Sequence, residues 1–201
     1  MSPTTKIMLS DQELSLVKDA SWILTKQVII QKVFEMFAER TGTINSCLQQ
    51  VNHLGPEIKN TVPKIYKGEQ YMQLPYVMMD HPRFFEKDHI FAIRTMFWWA
   101  NFFSITLHIS GKYRDAMAEM IRANLSAGYN EIYICVHEDQ WHHHFEENNY
   151  RRYDKLTPVE KNQFLQKNRF IKLALKFDID EWNSMPMLLD DGYKKIIRMI
   201  N

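Results

Sequence analysis

The chain has 201 residues, 45% hydrophobic and 24% charged, with 25 Lys+Arg against 24 Asp+Glu. A chain of this length buries roughly 70% of its unfolded surface, usually around one core, and its balanced charge offers no general basic footprint for nucleic acid or an anionic membrane. Two cysteines, Cys47 and Cys135, are too few for a disulfide scaffold, and no apolar run approaches the ~20 residues that span a bilayer.

Residues 1–9 lack the basic start and apolar centre of a secretory leader, so a cytoplasmic protein is expected. Ser10 and Glu13 form a capping-box pattern that opens a helix. Leu14, Val17, Leu24 and Val28 form one apolar row beside Ala20, Ile23, Ile30, Phe34 and Phe37. That width suits a core-facing helix, broken near Ser21 and stopped at Gly42. A short helix follows at residues 44–54. Pro56, Pro63, Gly68, Pro75 and Pro82 then punctuate residues 56–88, where irregular chain is expected, with a short strand at residues 76–79.

Residues 90–109 switch to a period of two. Both faces of residues 90–97 are apolar, as in a central strand, whereas after a turn at residues 99–101 one face becomes polar through Ser104, Thr106 and His108. A helix is expected over residues 113–125 and a strand over residues 132–137, with Tyr133, Cys135 and His137 on one side. Thr157, Pro158 and Glu160 open another helix; the tail reads as helical through residue 177 and again over residues 188–200. The expected fold is one α+β domain over residues 1–201: a central antiparallel sheet of three to five strands, drawn from residues 76–137, packed by N- and C-terminal helices in residues 10–54 and 157–200.

Phosphate-cradling glycine motifs, HExxH and the GxSxG elbow are all absent. The densest chemistry lies in residues 137–147, which hold His137, His142, His143, His144 and four carboxylates. In extended chain His142, His144 and Glu146 project to one side, a ligand set suited to zinc, nickel or iron; the alternative is a solvated polar loop stacked on Trp141 and Phe145. A second group follows from strand phase. If their strands are neighbours, Ser104, Thr106, His108, Tyr133, Cys135 and His137 line one polar pocket; the alternative is a sheet face covered by another element.

Arg94 stands among Ile90, Phe91, Ile93 and Met96, so it needs a buried counter-charge, either Asp80 or an anionic ligand. Trp98 and Trp99 read as core packing beside the turn, with base or sugar stacking as the alternative. Arg151, Arg152 and the lysines of residues 161–176 read as solvated surface. Residues 67–71 and 74–80 together with Trp98-Trp99, about 40 residues in all, resemble uncharacterised bacterial proteins of unassigned function, and the resemblance implies no chemistry. Three functions follow from the residues: a domain that binds a small molecule or protein without catalysis, a metal-dependent hydrolase built on residues 137–146, and a partner protein whose helical ends pair with other chains.

Overall fold

A computed structural model describes residues 7–128, 131–167 and 169–201, with residues 162 and 165–167 described by backbone alone. The expectation that no secretory leader begins the chain rests in part on residues 1–6, outside that range. Two helices open the chain, α1 (Asp11–Lys18) and α2 (Ala20–Gln49), followed by the short α3 (Pro56–Lys59). Strands β1 (Lys64–Tyr71), β2 (Leu74–Phe85), β3 (Ile90–Trp98) and β4 (Phe102–Ser110) form a meander. Next come α4 (Lys112–Ser126), β5 (Tyr133–Cys135), β6 (Tyr150–Arg152), α5 (Pro158–Lys167), β7 (Phe170–Asp178) and α6 (Met185–Arg198).

The α+β class and the packing helices at both ends are as expected, but the sheet has seven strands rather than three to five. Their order is β1-β2-β3-β4-β7-β5-β6, and every neighbouring pair is antiparallel. Three additions account for the difference. Residues 64–71 and 74–85 are paired strands, not irregular chain; their two-residue turn places Met72 (φ 48°) and Gln73 (φ 66°) in the left-handed region. Such turns usually carry Asn-Gly, so Met72-Gln73 has none of the residues by which a hairpin turn is recognised. Residues 170–178 are a strand, not the end of a helix: Ile171, Leu173 and Leu175 alternate with Lys172, Ala174 and Lys176. Residues 150–152 add the short edge strand β6.

Gly42 does not end its helix. α2 runs through it, and the break expected near Ser21 falls at Asp19, whose side chain caps α2 by accepting from the Trp22 amide at 3.1 Å. One face of the sheet packs on helices. Ile30, Val33, Phe37, Ile44 and Leu48 of α2, and Leu189, Tyr193 and Ile196 of α6, meet Phe91, Ile93, Phe103, Ile105 and Leu173 in one apolar core. α6 seats closely because Gly192 has no Cβ, which would stand 2.7 Å from Ile105 Cδ1. Within that core the Tyr193 hydroxyl and Thr95 Oγ1 hydrogen-bond at 2.7 Å. Among the described residues no helix is long and apolar enough to cross a membrane.

Candidate functional site

The opposite face is polar at its centre, and a loop rather than a helix covers it. Register fixes the rows. Asp80, Arg94, Thr106, Ala174 and Tyr133 stand side by side across five strands, because each pairs with the next. One row along, Ala92 pairs with His108 and His108 with Lys172. The small Ala174 leaves the centre of this face to the longer side chains around it. β4 and β5 are therefore not neighbours; β7 stands between them and brings Lys172 into the space that Ser104, Thr106, His108, Tyr133, Cys135 and His137 were expected to line.

Arg94 lies at the middle, and Asp80 supplies its counter-charge through two bonds, Nε to Oδ1 at 2.7 Å and Nη2 to Oδ2 at 3.0 Å. A forked pair of this kind is strong and fixes the guanidinium plane. The third nitrogen, Nη1, donates to His143 Nε2 at 3.3 Å, which requires that nitrogen to be unprotonated. Burial, with Lys172 and Arg94 nearby, accordingly holds the His143 imidazole well below its ordinary pKa. Tyr66 closes the far side, donating to Asp80 Oδ2 at 3.3 Å, and burial pushes its phenol up to about 12.

Lys172 is the least conventional member. It is 2% exposed, and in place of a carboxylate it has two loop carbonyls, Gln140 O at 3.0 Å and His142 O at 2.6 Å. Its ammonium also lies 5.1 Å from the centre of the Tyr150 ring. Desolvation pulls its pKa down to about 8. The same burial, with Lys172 beside it, lowers His108 to about 3 while its Nε2 donates to Gln140 Oε1 at 2.8 Å. Cys135 is buried and raised by desolvation; its thiol donates to Asn149 Oδ1 at 3.5 Å. Tyr150 is raised well above the ordinary phenol range by complete burial, and its hydroxyl turns towards Thr106.

Residues 136–149 form the cover. The hydroxyl of Tyr71, at the tip of β1, accepts from the amides of His143 (2.7 Å) and His144 (3.0 Å), and buried Asn149 donates to His144 O at 2.5 Å. Phe145 stacks on Tyr150 at 4.6 Å and meets Phe102 and Tyr133 edge-on; Trp141 meets His108 edge-on. The loop is not a merely solvated segment, and its histidines meet Tyr71 or one another rather than Trp141 and Phe145, which pack on residues of the sheet and its edge.

The outer histidines form a chain of their own. Asp139 Oδ2 lies 3.4 Å from His142 Nε2, His142 Nδ1 lies 3.2 Å from His144 Nε2, and His144 Nδ1 lies 3.9 Å from Glu146 Oε2. His137 stacks on His142 at 4.4 Å, and its Nδ1 accepts from the Asp139 amide. Glu146 thus approaches the side of His144 away from His142, so His142, His144 and Glu146 do not converge on one point. No group of three metal-binding side chains converges among the described residues.

Of the residues singled out from the sequence, Arg94, Ser104, Thr106, His108, Tyr133 and Cys135 share this face, with His137 just beyond β5. Arg94 has the expected partner in Asp80, and Trp98 and Trp99 pack as expected, against Phe102 and Phe97. Lys172 was read as solvated surface and is instead at the centre; a period-two count over residues 170–178 is the signal that finds it. Tyr150 and His143 had no such signal, since their placement depends on the path of the loop. Comparison of the chain with protein-family models, with curated proteins and with solved structures finds no match.

Proposed function

We propose that the chain is a cytoplasmic, non-catalytic binding domain whose ligand is a small anion, a carboxylate or phosphate, received on the polar face of the sheet when residues 136–149 move aside. The observation that supports this is the charge balance under the loop: Asp80 is committed to Arg94 through a forked pair, whereas the buried Lys172 ammonium is held by two loop carbonyls and, among the described residues, feels only the more distant carboxylate of Asp139. A buried ammonium without an anionic partner is costly and is retained in few proteins. The two carbonyls that now receive Lys172 belong to the loop, so an oxyanion would take their place as the loop lifts. Arg94 is already held in plane by Asp80, and Thr106 and Ser104 add hydroxyl donors beside it.

The test is a thermal-shift and calorimetric panel of inorganic phosphate, sulfate and small mono- and dicarboxylates against the native chain and Lys172→Met. Saturable stabilisation of about 2.7 kcal/mol at a hundredfold excess over Kd is expected for the native chain, and its loss in the variant. The reading is sunk if no anion stabilises the native chain, or if the variant responds equally.

A second reading, a metal-dependent hydrolase, has one observation in its favour. The 3.2 Å between His142 Nδ1 and His144 Nε2 is close to the roughly 3.3 Å between two nitrogens each about 2.0–2.1 Å from one tetrahedral zinc. Such an ion would activate a bound water. Metal content of untagged protein, compared with His142→Ala/His144→Ala, separates the readings. Stoichiometric zinc, nickel or iron lost in the double variant favours the hydrolase; substoichiometric metal in both favours the anion-binding domain.

A further inference from the structure

The first two helices carry an apolar stripe that none of the described residues covers. α1 buries no residue, and α2 buries none before Ile30. Between Ile7 and Val28, ten large apolar side chains are at least 41% exposed. Soluble monomers rarely leave a contiguous apolar patch larger than a few hundred Å². An isolated helix shorter than about 12–15 residues is also marginal in water, yet the eight residues of α1 are helical and none of them is buried by the described residues.

The spacing identifies the shape of the missing partner. Leu14, Val17, Ser21, Leu24 and Val28 follow one another at steps of 3, 4, 3 and 4, the a and d positions of a heptad seam that packs on another helix. The inward row, from Ile30 through Val33 and Phe37, is separate and already buried. Within this heptad Glu13 falls at g and Lys18 at e. In a parallel pair, g of one helix meets the e position five residues on in the other, so Glu13 of each copy faces Lys18 of the second copy. Two-fold symmetry makes that contact twice. An antiparallel pair would leave Lys18 opposite Thr25 or opposite Lys18 itself, with no opposite charge to meet.

We infer that residues 7–28 are a dimerisation arm that pairs in parallel with a second copy of this chain, along the Leu14–Val17–Leu24–Val28 stripe and through reciprocal Glu13–Lys18 contacts. The seam crosses Asp19, the one non-helical residue between α1 and α2 (φ −84°, ψ 87°), which caps α2 through the Trp22 amide, so pairing along the whole seam requires the two helices to straighten into one at this residue. Ser21 is the single polar residue at the seam, the kind of position that fixes register. The cationic face under residues 136–149 is untouched by this contact and is available in both copies.

Sedimentation equilibrium of the full chain over a wide concentration range tests the inference. The native chain is expected to be in monomer–dimer equilibrium, and Leu24→Glu to be a monomer whose thermal unfolding matches that of the native chain at concentrations where the native chain is also monomeric, because Leu24 is 65% exposed. Met187→Glu, at an exposed apolar residue of α6, is expected to dimerise normally. Lys18→Glu sets like charges together twice and is expected to weaken the dimer about tenfold. Adding Glu13→Gln, which keeps the capping box, is expected to recover most of that loss. A native chain that stays monomeric, or a dimer indifferent to Leu24→Glu, overturns the inference. A dimer indifferent to Lys18→Glu overturns the parallel arrangement. A monomer that co-sediments with phosphatidylcholine–phosphatidylserine vesicles, and loses this with Leu24→Glu, assigns the stripe to a lipid surface and overturns it too.

Discussion

Arg94 and Lys172 lie on the same face of the same sheet, yet only one of them announces itself in the sequence. Arg94 is embedded among Ile90, Phe91, Ile93 and Met96, so burial and a carboxylate partner both follow, and Asp80 is there. Lys172 sits in a run of Lys, Leu and Ala that helix propensity favours, and its burial appears only when β7 is recognised as a strand. The consequence is measurable. The Lys172 pKa of about 8 in the folded chain lies below the ordinary lysine value near 10.5. Between those values the unfolded chain holds the extra proton, so stability rises with pH. From pH 7.5 to 9.5 that gain is about 2 kcal/mol. Cys47 and Cys135, both raised, oppose it from about pH 8.5, where an unfolded thiol ionises, and the raised tyrosines Tyr66, Tyr113 and Tyr193 oppose it above about pH 10. The thiols are common to both proteins, so urea titrations at about pH 7.5 and 9.5 are expected to show the native chain gaining about 2 kcal/mol relative to Lys172→Met; equal changes in both would mean that Lys172 is solvated.

The elements divide by how much of their signal is local. The β3–β4 hairpin, α4 and the capped start of α5 were legible because alternation, capping residues and glycine stops act within a few positions. The β1–β2 hairpin was not, since Met72 and Gln73 adopt positive φ without the residues that favour it and the prolines around them suggested loops. Gly42 misled in the opposite direction. Glycine is the usual residue after a helix end, but α2 is held across it by Phe37, Ile44 and Leu48, all fully buried. Tertiary packing there outweighs the local preference. A Cβ at Gly42 would meet nothing within 4 Å. Gly42→Ala is therefore expected to stabilise the chain by about 0.5–1 kcal/mol, the helix-interior difference between the two residues, read as a higher urea midpoint with an unchanged slope. Destabilisation would show that α2 bends at this point in solution.

At the scale of the whole molecule, the site is a product of strand order, and strand order is the part of the fold that local pattern does not encode. Ser104, Thr106 and His108 could be assigned to one face and Tyr133 and Cys135 to another, but that β7 separates them follows only from the path of residues 111–170. The return of β7 to the middle of the sheet places Lys172 beside His108, and the loop then closes over both. Sealing of this kind has a signature in acid. His108 is held near 3 by burial and by Lys172, whereas an unfolded histidine titrates near 6.5. Between those values the unfolded chain binds the additional proton, so stability is lost as pH falls. From pH 7 to 5 His108 alone accounts for a loss of about 2 kcal/mol. Carboxylates held below their ordinary range, such as Glu160 at about 2, add to acid sensitivity only below about pH 4.5. His108→Gln keeps an amide nitrogen near Nε2 to donate to Gln140 and cannot be protonated. Urea unfolding at pH 7 and pH 5 is expected to show a loss about 2 kcal/mol smaller in the variant than in the native chain. An equal loss in both would mean that His108 titrates as in water, and that residues 136–149 are open over the sheet.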